Sequence, residues 1–198
     1  MKTRIAVFVS GGGTNLQALI DAAARGDLPS GELALVLSSS PKAYALERAG
    51  KAGIPTAVVR SKEPEHEQKI LDTLKAHRID MIVLAGYMSI LSADFTARFP
   101  NRILNVHPSL IPSFCGKGYY GLRVHEEALR RGVKVTGATV HFVNEIPDGG
   151  EILLQKAVDV LPDDTPETLQ RRVMEQAEWK LLPRATEAVA KRIMEEKA

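Results

Sequence analysis

The stretch ILNVHPSL (103–110) starts as an apolar strand, places Asn105 and His107 two residues apart at its end, and is stopped by Pro108. Upstream of it, the short β-branched or aliphatic runs RIAVFV (4–9), LALVL (33–37), TAVV (56–59), MIVLAG (81–86) and RILNVH (102–107) alternate with segments of helical periodicity. That alternation predicts an α/β fold: a doubly wound, mostly parallel sheet with right-handed crossovers. Downstream the pattern changes. A loop rich in Pro, Gly and aromatic residues leads to a helix near 122–131, after which KVTGATVHFVN and EILLQKAVDV flank EIPDGG. Two strands that close together need a turn rather than a crossover helix, so they are expected to pair antiparallel and extend the sheet.

The last element opens at DDTPETLQ, where Thr165 can act as N-cap and Pro166 fits the first helical position. Leu169, Val173, Ala177 and Leu181 recur every four residues, and Val189 and Ile193 resume the spacing after Pro183. This predicts a long amphipathic C-terminal helix, kinked or broken at Pro183.

A chain of 198 residues, 44% apolar and 25% charged, suits one compact domain. With 26 basic and 24 acidic residues, the net charge of +2 provides no stripe that would neutralise many phosphates of a duplex, so nucleic acid is not expected as a partner. No window approaches the roughly 18 apolar residues of a membrane helix, so no membrane partner is expected either. The single cysteine, Cys115, cannot form an internal disulfide, and MKTRIAVFVS meets a glycine run before reaching signal-peptide length; a cytoplasmic protein is expected.

VSGGGTNLQALI joins the first strand to the first helix and places Gly11, Gly12 and Gly13 where backbone N–H groups and the helix dipole can hold an anion. Thr14 and Asn15 can cap the helix or touch the same anion. The loop lacks the lysine of G-x-x-x-x-G-K-[ST] and the spacing of G-x-G-x-x-G, so a terminal monophosphate fits better than a nucleoside triphosphate or a dinucleotide. The alternative is a tight strand-to-helix turn that needs positive φ.

In a doubly wound sheet the carboxyl ends of the strands line the ligand crevice, so Asn105 and His107 share one face directed toward it. Asp148, in the turn IPDGG, could reach His107 if the two later strands extend the sheet from its fifth strand, and a carboxylate there would favour the protonated imidazole. Alternatively Asp148 serves only its own turn. His141 reads as core or as a support rather than as a reacting group, and Cys115 as an incidental thiol. His66, His77, His107, His125 and His141 form no metal-binding pattern, so no metal is expected. No G-x-S-x-G elbow occurs, so the set suggests acyl transfer without a covalent nucleophile.

Taken in order, VFVSGGGTNLQALI, VLAGYMSIL, ILNVHPSLIPSF, GATVHFVNEIPDGG and AEWKLLP resemble the phosphoribosylglycinamide formyltransferase family, the folate-dependent transformylases of purine biosynthesis. The resemblance covers nearly the whole chain. It implies a single Rossmann-like formyltransferase domain over 1–198, with a phosphate- and ribonucleotide-binding half near 1–100 and a folate-binding and catalytic half near 101–198. It further implies that Asn105, His107 and Asp148 are catalytic, that Gly12, Gly13, Thr14 and Asn15 hold the substrate phosphate, and that Glu178 binds the ribose hydroxyls. Read without the family, Glu178 is a solvated helix charge. Tyr87, Met88, Ser89, Ile90 and Leu91 correspond to the wall of a folate pocket, and Val143, Asn144, Glu145 and Ile146 to the backbone that reads the pterin edge. The implied substrates are 10-formyltetrahydrofolate and glycinamide ribonucleotide, with transfer through a tetrahedral intermediate, no metal, and a monomer or homodimer.

Three positions depart from the pattern. Ser89 stands where many members carry arginine, Cys115 stands where proline is frequent in a loop about four residues longer than usual, and Glu151 follows D-G-G where proline is common. The long loop could be a lid or an oligomer contact. The nearest alternative activity is that of a formyltetrahydrofolate deformylase, whose members usually carry an extra N-terminal regulatory domain. A methionyl-tRNA formyltransferase would need a C-terminal nucleic-acid-binding domain, and a third alternative is a non-catalytic sensor of a phosphoribosyl ligand.

Overall fold

In the computed structural model, which describes residues 1–197, the apolar runs form seven strands: β1 (Thr3–Val9), β2 (Gly31–Ser38), β3 (Thr56–Val58), β4 (Met81–Leu84), β5 (Ile103–His107), β6 (Val135–Phe142) and β7 (Ile152–Asp159). They make one sheet in the order β3, β2, β1, β4, β5, β6, β7. The first five pair parallel, and β6 and β7 pair antiparallel, as the spacing around EIPDGG predicts.

Helices α1 (Thr14–Arg25), α2 (Ala45–Lys51), α3 (His66–Ala76), α4 (Ala93–Thr96) and α5 (Leu122–Arg131) connect the strands. The strands read as continuous apolar runs because both faces are covered. In β1, Ile5, Val7 and Val9 pack with Leu16 and Leu19 of α1 on one face, while Ala6 and Phe8 pack with Ile70 and Leu74 of α3 and with Phe95 on the other. Burial of side chains this size is worth about 1.5–3 kcal/mol each, and the two apolar layers lock β1 at the centre of the sheet.

At the C-terminal end, α6 (Pro166–Val173) begins at a capping box in which Thr165 Oγ1 accepts from Thr168 N–H and the Thr168 side chain accepts from Thr165 N–H. Of the kink or break expected at Pro183, the break does not occur. Instead α6 widens into a π turn, Met174–Glu178, and α7 (Trp179–Glu196) continues through Pro183. Apolar residues four apart drift off one face of a helix with 3.6 residues per turn. The wider i→i+5 turn corrects that drift, so Leu169, Val173, Ala177 and Leu181 all remain buried in one core. This wider turn ends five residues ahead of the proline.

The chain runs from β1 outward to β3 and then returns to β4 on the other side of β1, which places the topological switch point between β1 and β4. The loop after β1 is the glycine loop, and the segment after β4 contains Tyr87 to Leu91. Ser10 Oγ joins them by accepting from Met88 N–H at 2.9 Å.

Candidate active site

The last residue of β4, Leu84, pairs with Asn105, so β5 extends two residues beyond its neighbour and carries His107 past the edge of the parallel sheet. On the other side, Asn105 lies opposite His141 and His107 opposite Thr139. Residues directly opposite in an antiparallel pair point to the same face. The register therefore assembles Asn105, His107, Thr139 and His141 on one surface at the strand ends.

Asp148 completes the cluster from the turn between β6 and β7. Its Oδ1 lies 3.4 Å from Asn105 Nδ2 and 3.5 Å from His141 Nε2, and its Oδ2 lies 3.5 Å from His107 Nδ1. Gly116 N–H donates to the same Oδ2 at 2.8 Å. The turn can deliver the carboxylate because its glycines are required by space: a Cβ on Gly150 would collide with the Phe142 carbonyl oxygen, and one on Gly149 would lie 2.6 Å from Ile146 Cγ2. Asp148 itself is left-handed, with φ at 55°, a conformation that Asp tolerates better than most residues.

Burial works against the charged form of Asp148. The His141 hydrogen bond, the charge at His107, the Gly116 N–H and the charge at His141 together outweigh it and hold the carboxyl below its usual range. His141 Nδ1–H donates to the Phe142 carbonyl at 2.7 Å, which fixes the ring so that Nε2 faces Asn105 at 3.2 Å and Asp148. His141 thus belongs to the cluster as a support for Asn105 and Asp148, the second of the two readings its sequence position allowed. The opposite-strand register is the only signal that could have found it.

His107 is 5% exposed, and its Nε2–H donates to the Phe114 carbonyl at 2.8 Å. With Nδ1 on Asp148, neither ring nitrogen opens into the cleft in this conformation. The long loop therefore touches both ends of the His107 and Asp148 pair, through the carbonyl of Phe114 and the N–H of Gly116. The stretch that leads into it is held in turn: Thr139 Oγ1 donates to Ser109 O at 2.7 Å and accepts from Ile111 N–H at 3.1 Å. Cys115 Sγ lies 3.3 Å from the Pro112 carbonyl, and burial followed by the Asp148 charge pushes its thiol upward, away from thiolate reactivity.

Next to this cluster is a cleft of about 130 Å³ whose lining includes Leu84, Tyr87, Ser89, Ile90 and Leu91 from one side and Val143, Asn144, Glu145, Ile146 and Pro147 from the other, with Asn105, His141 and Asp148 at its base. The two segments that the sequence resemblance singled out thus form facing walls. Met88 is the exception: it is absent from the lining and is 57% exposed. The walls are mainly apolar, which suits a flat heteroaromatic ring.

The second expected cluster is centred on the glycine loop. Gly13 is left-handed, with φ at 74°, and α1 begins at the next residue. Asn15 Nδ2–H donates to Glu178 Oε2 at 2.6 Å. Glu178 is 6% exposed, so its reading as a solvated helix charge is wrong: the π turn rotates it inward. Burial pushes its carboxyl up to about 7, against the opposing effect of the Asn15 hydrogen bond. Sequence position alone would assign Glu178 and the glycine loop to different halves of the chain, yet they share one hydrogen bond. Among the described residues no group of His, Cys, Asp and Glu side chains could hold a metal ion, and no helix is long and apolar enough to cross a membrane.

The family model described as formyl transferase matches residues 3–186. The phosphoribosylglycinamide formyltransferase of Haemophilus influenzae is 46% identical over 184 residues, covering 91% of this chain and 84% of that protein. The human trifunctional purine biosynthetic protein adenosine-3 is 45% identical over 193 residues, 96% of this chain but only 18% of the longer one. Among solved structures, the phosphoribosylglycinamide formyltransferase of Brucella melitensis superimposes with a TM-score of 0.87 at 43% identity, covering 96% of each chain. The match runs from the first strand into the last helix and is not confined to the glycine loop or the D-G-G turn, and on that extent the chain belongs to the formyl transferase family.

Proposed function

We propose that the protein transfers the formyl group of 10-formyltetrahydrofolate to the primary amine of glycinamide ribonucleotide, as a cytoplasmic enzyme of purine biosynthesis. The observation that carries this reading is the meeting of Asn105, His107 and Asp148, from a strand end and a distant turn, beside a mainly apolar cleft that Asn105 and Asp148 themselves line. The cleft walls would take the folate ring system, and the glycine loop with Glu178 would take the phosphorylated ribose.

In the reaction the neutral amine attacks the formyl carbon and a negative charge develops on the formyl oxygen. The new bond joins the amine nitrogen to that carbon, and the bond from carbon to the folate nitrogen breaks. Asn105 lines the cleft, and its Nδ2–H becomes a donor to the developing charge when the formyl oxygen replaces Asp148 Oδ1, 3.4 Å away, as its acceptor. His107 Nε2–H becomes the second donor when the formyl oxygen replaces the Phe114 carbonyl as its acceptor. Asp148, held ionised by its donors, takes the proton released by the attacking amine and passes it to the departing folate nitrogen, directly or through water.

The test is to follow tetrahydrofolate release from 10-formyltetrahydrofolate with and without glycinamide ribonucleotide. Release that requires the amine is expected. Equal release without it would replace the transferase by a deformylase, and no release in either case would leave a binding protein.

A further inference from the structure

The glycine loop is held from behind by α2. Ala45 N–H donates to the Gly11 carbonyl at 3.1 Å, and Arg48 Nε–H donates to the Gly12 carbonyl at 2.8 Å. In a trans peptide the C=O and N–H point in opposite directions. Fixing the Gly11 carbonyl toward α2 therefore turns the Gly12 N–H away from it, and fixing the Gly12 carbonyl does the same for the Gly13 N–H. Two successive N–H groups turned to one side form a small anion-binding concavity.

There is no slack between loop and helix, since a Cβ on Gly13 would lie 2.6 Å from Ala45 Cβ. Arg48 is fixed as well. Its Nη1–H donates to Gln17 Oε1 at 3.0 Å, and its guanidinium lies 5.1 Å from the centre of the Tyr44 ring. A full positive charge on a peptide carbonyl polarises that peptide and makes its N–H a better donor.

We infer that Arg48 is a positioning residue for the substrate phosphate: it acts through the Gly12–Gly13 peptide rather than by touching the ligand. The inference rests on the reading that the glycine loop takes the phosphate. Lysine would keep the charge at position 48 but could not supply the Nε and Nη1 fork that binds Gly12 and Gln17 together. A nonpolar replacement would leave the Gly12 carbonyl free to rotate and its peptide unpolarised.

The experiment compares the full chain with Arg48→Met and Arg48→Lys, using glycinamide ribonucleotide, the corresponding riboside without phosphate, and inorganic phosphate as competitor. In the parent protein, phosphate should compete with the ribonucleotide. In Arg48→Met, the KM for the ribonucleotide and the inhibition constant for phosphate should both rise about ten-fold, the loss of one charge-assisted hydrogen bond. Turnover number, KM for the formyl donor and KM for the riboside should stay within about two-fold. Arg48→Lys should recover only part of the loss. An unchanged KM for the ribonucleotide in Arg48→Met would overturn the inference, as would an equal loss on the riboside, which would indicate a general packing role. If the parent itself shows neither phosphate competition nor preference for the ribonucleotide over the riboside, the phosphate reading of the loop is wrong and the inference falls with it.

Discussion

Glu178→Gln should stabilise the protein at alkaline pH while impairing its activity. The folded-state carboxyl titrates at about 7 against a reference of 4.5, a shift of about 2.5, caused first by burial and only partly offset by Asn15. At 1.36 kcal/mol per unit, the ionised side chain costs the folded state about 3 kcal/mol. Because the folded value is raised, the penalty is absent below pH 4.5, grows between pH 4.5 and 7, and is complete above 7. Glutamine keeps an acceptor for Asn15 Nδ2–H and cannot ionise, so the variant should match the parent at pH 4 and exceed it by about 3 kcal/mol at pH 8, roughly 6–12 °C in Tm for a chain of this size. Urea unfolding across pH 4–9 reads the difference directly. If Glu178 also receives the ribose hydroxyls, the same variant should bind glycinamide ribonucleotide more weakly. A variant that is equally stable at pH 8, or less so, would show that the carboxylate is not an undercompensated buried charge.

Three further outcomes are expected. His107→Ala and Asp148→Asn should each lose about a hundred- to thousand-fold in turnover while retaining affinity for glycinamide ribonucleotide; near-normal turnover in either variant removes that residue from the mechanism. Gly150→Ala should destabilise the β6 to β7 turn and lower activity through Asp148, because its Cβ would meet the Phe142 carbonyl; thermal unfolding and kcat together check this, and a stable, active variant would show that the turn has room. His125, fully buried with neither ring nitrogen hydrogen-bonded, has its pKa lowered to about 4, first by burial and then by His107. Since the unfolded histidine takes up its proton near 6.5, stability should be lost as pH falls from 6.5 toward 4, and His125→Leu should flatten that loss by about 3 kcal/mol; an unchanged acid limb in unfolding experiments would show that His125 finds a partner.

The strands of the parallel sheet, the antiparallel extension, the helix at 122–131 and the Thr165 cap were legible because each leaves a period, a turn or a cap residue in the sequence. Asn105 and His107 were legible for the same reason: their two-residue spacing at a strand end fixes a shared face. His141 was legible only as core or support, without its partners, because its place depends on which residue of β6 stands opposite Asn105, and pairing register leaves no mark in either strand alone. The inward turn of Glu178 depends on one wider helical turn, visible in the sequence only as an apolar spacing of four that an ordinary helix also shows. The groups that grip His107 and Asp148 are the carbonyl of Phe114 and the N–H of Gly116. Every residue has the first and all but proline the second, so no residue type could have announced them.

The two buried carboxylates show how one force yields opposite chemistry. Burial pushes both Asp148 and Glu178 toward the neutral form. Asp148 is surrounded by Asn105, His107, His141 and the Gly116 N–H, and it stays charged. The hydrogen bond that opposes burial at Glu178 comes from Asn15, and this carboxyl sits near neutrality. A ligand that brings hydroxyl donors to Glu178 would therefore do for it what the protein already does for Asp148. Because burial raises the Glu178 carboxyl to about 7, part of it carries a proton at neutral pH, and donors that bring the group back to its ordinary range should expel protons as the ligand binds. Titration calorimetry of glycinamide ribonucleotide in buffers of different ionisation enthalpy measures this: the apparent binding enthalpy should vary with the buffer at pH 7 and cease to vary in Glu178→Gln. A buffer-independent enthalpy in the parent protein would mean that no donor from the ligand reaches Glu178, and the ribose would have to be assigned elsewhere in the site.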